Sequence, residues 1–148
     1  MSVSEKQAAV LLVEDDPGHA LLIEKNLRRA GLAPSLVVLD DGRKAADYLF
    51  KPGNYAPGGH PLPSFVLLDL DLPVMSGLQV LKIMKSGERT KRIPVIVLTS
   101  TDNPREIAQC YELGCNLYVT KPVEHDRFSE TIQRLGTFLS IVKSPEKE

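Results

Sequence analysis

The sequence predicts an α/β protein built on a doubly wound, five-stranded parallel sheet with helices on both faces. Short apolar runs alternate with helical patterns five times along the chain, which is typical of repeated strand–helix units. The central run, Phe65 to Leu68, is apolar at every position and lies between prolines, as expected of a strand buried on both faces. Because a single crossover joins each pair of successive strands, the strands are expected to pair in parallel.

The first two strand–helix units are predicted from helix caps and apolar spacing. The first strand runs from Ala8 to Val13 and ends in acids, after which Pro17 suits the first position of a helix capped by Asp16. The second strand, Ser35 to Leu39, leads into an Asp-Asp-Gly turn in which Asp41 is the expected cap of the next helix. The apolar faces of these two helices carry Ala20, Ile23, Leu27 and Ala30, and then Ala45, Ala46, Leu49 and Phe50.

The segment from Lys51 to Pro63 interrupts this alternation. It holds four prolines and three glycines and almost no apolar side chains, so it is predicted to be a loop. The loop is longer than most connections between a helix and a strand, which indicates an insertion particular to this protein.

The next two units are centred on the strands Phe65 to Leu68 and Val95 to Leu98. The helix after the central strand follows a Met-Ser-Gly turn, and the helix after the fourth strand is expected to be capped by Asp102 ahead of Pro104. Glycines mark the ends of both helices, at Gly87 and Gly114. The apolar face of the first of these helices carries Leu78, Leu81 and Met84.

The fifth strand, Leu117 to Val119, completes the sheet, and the strand order that fits such a chain is the flavodoxin-like order 2-1-3-4-5. A last helix is predicted from a single apolar stripe, and the charged segment 143–148 after it is expected to be a flexible tail. The chain shows no repeat and no linker, so residues 1–148 are predicted to form one domain. The stripe of the last helix carries Phe128, Ile132, Leu135, Leu139 and Val142.

Composition excludes several classes of function. The formal net charge of -1 provides no general attraction to nucleic acid or anionic lipid. No apolar run approaches the roughly 18 residues that a membrane helix needs. Cys110 and Cys115 form neither a CxxC pair nor a disulfide framework, so they are expected to be packing residues. The expectation is a reduced, cytoplasmic protein without nucleic-acid or membrane partners.

Polar groups from four strand ends are expected to meet at one edge of the sheet, where open α/β sheets build their sites. Clustered carboxylates repel one another unless a cation intervenes, and oxygen ligands suit Mg²⁺. A hydroxyl and an ammonium opposite the metal can hold a phosphoryl group, which leaves the central carboxylate, Asp69, as the candidate nucleophile. In chain order the groups are Glu14 and Asp15, Asp69, Thr99 and Lys121.

Each of these residues also has a simpler interpretation. Alone, Asp69 could cap a turn, Thr99 could be a capping hydroxyl, and Lys121 could be a solvated charge. The joint placement of the groups at four strand ends is what favours a site. The histidines show no metal-ligand spacing, so His19, His60 and His125 are expected to lie on the surface.

Four motifs surround these strand ends. They read Leu-Val-Glu-Asp-Asp at 12–16, Leu-Asp-Leu-Asp-Leu-Pro-Val-Met-Ser-Gly at 68–77, Val-Leu-Thr-Ser at 97–100 and Tyr-Val-Thr-Lys-Pro at 118–122. In these motifs the chain resembles the receiver domain of two-component response regulators, the CheY-like family, from about Val10 to Val142. The resemblance implies that a histidine kinase transfers a phosphoryl group to Asp69.

The resemblance also implies roles for the other residues of the motifs. Thr99 and Lys121 would hold the phosphoryl oxygens. Tyr118 resembles the aromatic residue that swings inward when the threonine moves, and the bond between Lys121 and Pro122 resembles the family's cis peptide. The ligands of Mg²⁺ would be Asp15, Asp69, the backbone carbonyl of Asp71 and, through water, Glu14.

The Lys51–Pro63 insertion and the Asp-Leu-Asp-Leu-Pro form of the central motif resemble the single-domain regulators that partner phytochrome-type histidine kinases. The sequence shows no output segment after the last helix, so the expected output is protein binding or relay of the phosphoryl group. A homodimer through the C-terminal helix is also expected. Phe138 and Ile141 would remain on a flank of that helix once its main stripe covers the sheet.

Other functions fit part of the pattern. An Asp-Leu-Asp motif after an apolar strand also resembles the haloacid-dehalogenase-type phosphatases, with Asp69 as nucleophile and Asp71 as general acid. That family places its nucleophile strand first and needs an acidic motif after the lysine, whereas the acids Glu14 and Asp15 come before. A degenerate receiver used only as a scaffold is disfavoured because every phosphorylation residue is present. An FMN-binding flavodoxin would need a Ser/Thr-rich phosphate loop after the first strand.

Overall fold

The computed structural model describes residues 10–29, 35–50 and 62–121, together with Glu130 and Arg134. Several predictions from the sequence fall outside these residues. They include the first two residues of the first strand, the end of the first helix, most of the Lys51–Pro63 loop and the peptide bond to Pro122. The apolar stripe of the last helix, the flank with Phe138 and Ile141, and the tail also lie outside.

Within these residues the chain alternates strictly between strands and helices. The five strands are parallel and lie in the order β2-β1-β3-β4-β5, which confirms the predicted doubly wound sheet. No helix in the described part of the chain has both the length and the apolar character needed to cross a membrane. In chain order the elements are β1 (Val10–Val13), α1 (Pro17–Arg29), β2 (Leu36–Leu39), α2 (Gly42–Phe50), β3 (Phe65–Leu68), α3 (Gly77–Ser86), β4 (Val95–Thr99), α4 (Pro104–Leu113) and β5 (Leu117–Thr120).

Backbone hydrogen bonds continue the sheet past the strand ends and fix the residues there. The amide of Asp69 donates to the carbonyl of Val13 at 3.0 Å, and the amide of Lys121 donates to the carbonyl of Thr99 at 2.7 Å. β4 and β5 each extend one residue further than predicted, so Thr99 lies within its strand. The polar residues at this edge therefore start from rigid backbone positions.

The sheet separates two apolar clusters, and every residue of β1, β3 and β4 is buried in one of them or at its end. Successive side chains of a strand point to opposite faces, so each of these strands serves both clusters. The larger cluster joins the sheet to α2, α3 and α4 and includes Leu11, Val66, Val97, Leu49, Leu81 and Met84. The smaller cluster joins it to α1 and includes Leu12, Leu67, Ile96, Ile23 and Leu27.

Two of the predicted helix caps are confirmed. The Oδ1 atom of Asp16 accepts hydrogen bonds from the amides of Gly18 and His19 at 2.8 and 3.1 Å. The Oδ1 atom of Asp41 accepts one from the amide of Lys44 at 2.7 Å. These bonds satisfy amides that the first turn of a helix leaves free.

The prediction that Asp102 caps α4 is wrong. The cap is Asn103, whose side chain accepts a hydrogen bond from the amide of Arg105 at 2.9 Å. Pro104 is the first residue of the helix, and the capping side chain must come from the residue directly before it. Asp102 is one position too early and lies exposed.

The apolar face of α2 also differs from the prediction. Ala45 and Leu49 are buried as expected, whereas Phe50 is 41% exposed. Tyr48 takes the buried position instead and packs in the larger cluster. The ring of Phe50 lies beside Gly87, at the end of α3. A tyrosine can bury the body of its ring while its hydroxyl keeps a polar partner, which apolar spacing alone does not reveal.

The two cysteines lie at the C-terminal end of α4. Both are buried, which confirms the prediction that they are packing residues. The amide of Cys115 donates to the carbonyl of Cys110 and the amide of Gly114 to that of Tyr111, both at 3.0 Å, with a φ of 107° at the glycine. This is a Schellman motif, in which the two cysteines occupy the positions of its apolar contact. Both thiols are free and buried, and burial raises the pKa of each, to about 11 for Cys110.

Candidate functional site

Three carboxylates meet at the carboxyl edge of the sheet, as the sequence predicts. Glu14 and Asp15 follow β1 and Asp69 follows β3, and one oxygen atom from each lies within 4.8 Å of the others. Glu14 and Asp69 are only 3% and 5% exposed, whereas Asp15 is open to solvent. An all-oxygen set with one solvent-facing member fits a hard divalent cation, which keeps water in its coordination shell.

The carboxyl group of Asp69 is a weaker acid than that of an ordinary aspartate. Its pKa is raised to about 6, chiefly by burial; the ammonium of Lys121 opposes this shift and the carboxylate of Glu14 adds to it. At neutral pH the carboxyl group is therefore ionised, although its buried surroundings disfavour the negative charge. A cation, or a covalent bond to an electrophile, would neutralise that charge.

Lys121 reaches this cluster from the end of β5, and its side chain is 10% exposed. Its Nζ atom lies 2.6 Å from Oε1 of Glu14 and 3.3 Å from Oδ2 of Asp69. The shorter contact is a charge-assisted hydrogen bond between two buried groups. The structure thus brings the predicted ammonium to the candidate nucleophile, 52 positions earlier in the chain, and to Glu14, 107 positions earlier.

Thr99 is the remaining predicted group, and its hydroxyl has no hydrogen-bond partner among the described residues. The residue ends β4 with an exposed fraction of 0%, and its Oγ1 atom makes no hydrogen bond. A buried polar group left without a partner costs about 1–3 kcal/mol, so each such group in a native protein needs an explanation. An unpaired hydroxyl at this edge fits a site that receives an oxygen-rich group.

Asp71 lies outside the three-carboxylate cluster. Its side chain is exposed, and its backbone amide donates to Oδ1 of Asp69 at 3.3 Å. A hydrogen bond of 3.0 Å from the amide of Leu72 to the carbonyl of Leu70 closes a tight turn around it. Asp71 thus contacts Asp69 through its backbone amide. The role of the Asp71 carbonyl as a metal ligand stays a prediction.

The loop after β3 packs closely against the starts of two helices. A Cβ atom at Gly77 would collide with the backbone carbonyl oxygen of Asp69, and one at Gly42 would collide with that of Met75. Between these contacts Val74 adopts a φ of 71° with 80% of its surface exposed. A β-branched residue in the left-handed region is strained, so tertiary contacts hold this loop in a conformation that its own sequence disfavours.

Tyr118 connects β5 to the loop after Thr99. Its hydroxyl donates to the carbonyl of Thr101 at 2.7 Å, and its amide donates to the hydroxyl of Tyr111 at 3.1 Å. The ring packs against the larger cluster, and burial raises the pKa of its phenol to about 12. The phenol therefore remains a donor at neutral pH. Its inward swing stays a prediction.

His19 is a residue of this site that the sequence did not predict. Half of its side chain is exposed, as expected, but its Nδ1 atom lies 3.3 Å from Nζ of Lys121 and 3.8 Å from Oε2 of Glu14. The available signal was its place in the first turn of α1, immediately after the acids of β1. Side chains of a helix lean toward its N-terminus, so this position leans back to the sheet edge.

Comparison with known proteins gives a consistent result for nearly the whole chain. A family model described as the response regulator receiver domain matches residues 10–133. Among the relatives, "Response regulator Rcp1" of Synechocystis sp. is 34% identical over 91% of this chain and 90% of its own length. "Probable methanogenesis regulatory protein FilR2" of Methanothrix harundinacea is 36% identical over 91% of this chain and 85% of its own length.

Solved structures of response regulators are also similar to this chain. The response regulator receiver domain from Rhodospirillum rubrum is similar with a TM-score of 0.82 and 44% identity, covering 95% of this chain and 99% of that one. The phosphorylated cyanobacterial phytochrome response regulator RcpA has a TM-score of 0.86 and 33% identity, with the same coverage. The Mn²⁺-bound form of response regulator Rcp1 has a TM-score of 0.86 and 34% identity over 93% of this chain and 99% of that one.

Proposed function

The chain belongs to the response regulator receiver domain family, and on that premise we propose that Asp69 is the residue that accepts the phosphoryl group. The observation that carries this proposal is the buried carboxylate of Asp69 beside the ammonium of Lys121. The proteins compared above are response regulators or regulatory proteins, and none supports the phosphatase interpretation with Asp71 as general acid.

In the proposed reaction a carboxylate oxygen of Asp69 forms a bond to phosphorus. The bond from phosphorus to an imidazole nitrogen of the kinase's phosphohistidine breaks, and its electron pair leaves with that nitrogen. The ammonium of Lys121 and the unpaired hydroxyl of Thr99 would donate hydrogen bonds to the phosphoryl oxygens, on which negative charge is spread. The attacking carboxyl group must be ionised, and a cation held by the same carboxylates would favour that ionised form.

Glu14, Asp15 and Asp69 are the side chains that would hold a divalent cation, which we propose to be Mg²⁺, joined by the carbonyl of Asp71. The cation would offset the negative charge that otherwise keeps a phosphoryl group away from these carboxylates. The geometry of the carboxylate cluster supports this proposal. The similarity to an Rcp1 structure solved with Mn²⁺ also supports it.

Thr99 and Tyr118 are the residues through which the phosphoryl group would alter the surface. A new hydrogen bond from the hydroxyl of Thr99 to a phosphoryl oxygen would move the start of the loop whose Thr101 carbonyl accepts a hydrogen bond from the phenol of Tyr118. A local charge would in this way bias a two-state surface. The response would then be read by protein binding or by onward relay of the phosphoryl group.

The kinase that we propose as donor is of the phytochrome type. Support comes from similarity to RcpA, a phytochrome response regulator, and to the bacteriophytochrome response regulator AtBRR, with 38% identity and a TM-score of 0.72. We also propose that the chain forms a single receiver domain and a homodimer through its C-terminal helix. The proposed location is cytoplasmic, which the two free thiols support.

Labelling with a small phosphoryl donor tests the proposal. The wild-type chain, Asp69→Asn and the exposed control Asp102→Asn are incubated with acetyl phosphate and Mg²⁺, and the acyl phosphate is located by mass spectrometry. We expect label at residue 69 in the wild type and the control, and none in Asp69→Asn or after addition of EDTA. Equal labelling of Asp69→Asn and wild type would disprove the assignment.

A further inference from the structure

We propose that His19 is a positioning residue for Lys121. Its imidazole accepts a hydrogen bond that keeps the ammonium directed at Asp69 once a cation occupies the carboxylate cluster. This inference deepens the proposed phosphoryl transfer and rests on it. It assigns a role to a side chain that the motifs of the chain do not single out.

The ammonium of Lys121 has three N–H donors, and the structure provides three acceptors for them. Oε1 of Glu14 lies 2.6 Å from Nζ, Oδ2 of Asp69 lies 3.3 Å from it, and Nδ1 of His19 also lies 3.3 Å from it. A charged group that is only 10% exposed loses most of its hydration, so each of these partners matters to it. The imidazole is the one partner among the three that is not a carboxylate.

Two of the three acceptors belong to the cluster that would bind a divalent cation. Such a cation is held through carboxylate oxygens, so it competes with Lys121 for Glu14 and Asp69. The imidazole lies outside that cluster. The hydrogen bond from Lys121 to His19 is therefore the contact that the ammonium can keep in the loaded site, and it would prevent the side chain from turning into solvent.

The fold holds His19 in place through the capped start of α1. Oδ1 of Asp16 accepts the amide hydrogens of Gly18 and His19, and Pro17 fixes the backbone at the first helical position. Since an ammonium can only donate, the proposed hydrogen bond requires the tautomer in which Nδ1 is the acceptor. The acidic groups nearest to Nδ1 are Oε2 of Glu14 at 3.8 Å and Oδ2 of Asp16 at 3.9 Å.

Two substitutions separate the hydrogen bond from the bulk of the ring. His19→Phe keeps a ring of similar volume and removes the acceptor. His19→Asn removes the ring and can place its Oδ1 atom close to the position of Nδ1. Because half of the side chain is exposed, both variants are expected to fold, which urea unfolding curves verify.

The first measurement needs no phosphoryl donor. The amine reactivity of Lys121 toward an acetylating ester is followed by mass spectrometry in the presence of Mg²⁺, with the exposed Lys44 as internal reference. In His19→Phe we expect Lys121 to react about five times faster than in the wild type, the factor that one hydrogen bond of about 1 kcal/mol represents. His19→Asn should react at close to the wild-type rate.

The second measurement is phosphorylation by acetyl phosphate. His19→Phe is expected to lower the rate at saturating donor about five-fold while the half-saturating donor concentration stays constant, because Lys121 acts on the transition state. His19→Asn should restore the rate. If His19→Phe matches the wild type in both measurements, or if His19→Asn behaves like His19→Phe, the inference is wrong. Absence of label at Asp69 in the wild type would instead refute the proposed function and leave the Lys121 reactivities to decide the role of His19.

Discussion

At the scale of the residue, the proposed role of Asp69 needs a carboxyl group that is buried and yet ionised. Burial raises its pKa from an ordinary 3.8 to about 6, which means that the folded chain binds this proton more tightly than the unfolded chain does. As the pH rises from about 4 to about 6, the unfolded state releases the proton first, and the folded state loses stability relative to it. The ionised acceptor is therefore a source of instability.

Removing this charge should stabilise the chain in EDTA. We expect Asp69→Asn to raise the free energy of unfolding by about 1–3 kcal/mol at about pH 7, since a shift of about two pKa units represents about 3 kcal/mol. The gain should vanish below about pH 4, where wild-type Asp69 is protonated in both states. Urea unfolding at a series of pH values measures it, with Asp102→Asn as control. A gain that is independent of pH would contradict this account.

Thr99 gives a second prediction at this scale. Its buried hydroxyl has no partner in the part of the chain that the structure describes, so Thr99→Val should raise the free energy of unfolding of the unphosphorylated chain by about 1 kcal/mol. Thr90 is the matched control. It is equally buried, but its Oγ1 donates to the carbonyl of Met84 at 2.7 Å, so Thr90→Val should lower stability by a similar amount. Urea midpoints that move in the same direction for both variants would show that the hydroxyl of Thr99 is paired.

At the scale of the element, the start of α3 fixes the backbone of the loop after β3, which begins at Asp69. Ser76 and Gln79 form a capping box at this helix, and the amide of Gly77 donates to the carbonyl of Leu70 at 3.0 Å. The helix can approach this closely because residue 77 has no side chain. The loop that carries Asp69 is thus held by a helix terminus as well as by its strand.

Adding one methyl group at this contact should move the loop. In Gly77→Ala the new Cβ atom would meet backbone atoms of Asp69 and Leu70, so we expect a loss of about 1–3 kcal/mol in unfolding free energy. Slower labelling by acetyl phosphate should accompany it, because the carboxylate moves with its backbone. Gly18→Ala is the control, since its Cβ atom would meet only the side chain of Asp16 and should change stability little. Equal unfolding midpoints for the two variants would refute the contact.

Sequence patterns located the elements well because strands and helices depend on short-range spacing and caps. They located Glu14, Asp15, Asp69, Thr99 and Lys121 because parallel strands bring their carboxyl ends to one edge. What they missed depends on packing between elements. The hydrogen bond of His19 to Lys121 and the burial of Tyr48 in place of Phe50 are set by neighbours distant in the chain.

At the scale of the whole molecule, the site occupies one edge of the sheet. A change at the site can affect another protein only if it reaches a surface to which that protein binds. The end of α4 and β5 offers such a surface, where Tyr111 is 47% exposed and its hydroxyl accepts the amide of Tyr118. The C-terminal helix, which the sequence predicts to pair with a second copy, follows β5 in the chain. Self-association through that helix would be one way in which a change at Thr99 is read.

The proposed dimer can be tested directly. The sequence places Phe138 and Ile141 on a flank of the last helix, so we expect a dimer mass by light scattering at micromolar protein concentration. Phe138→Glu should reduce that mass to the monomer value, because a carboxylate at the centre of an apolar interface would be desolvated. Measurements with and without acetyl phosphate show whether the phosphoryl group alters the equilibrium. A monomer mass in both conditions for the wild type would exclude the dimer.

The 107 positions that separate Lys121 from Glu14 have a consequence for how the protein acquires its function during folding. The three carboxylates need only β1 and β3, whereas the ammonium arrives with β5, an edge strand that pairs with β4. Lys121 can reach Glu14 only once β4 has joined β3 and β5 has joined β4, because β5 does not pair with β1 or β3. A partly folded chain could therefore bind a divalent cation before it could take up a phosphoryl group. The ability to accept a phosphoryl group would then appear only when the sheet is complete, so that only fully folded molecules react with the kinase.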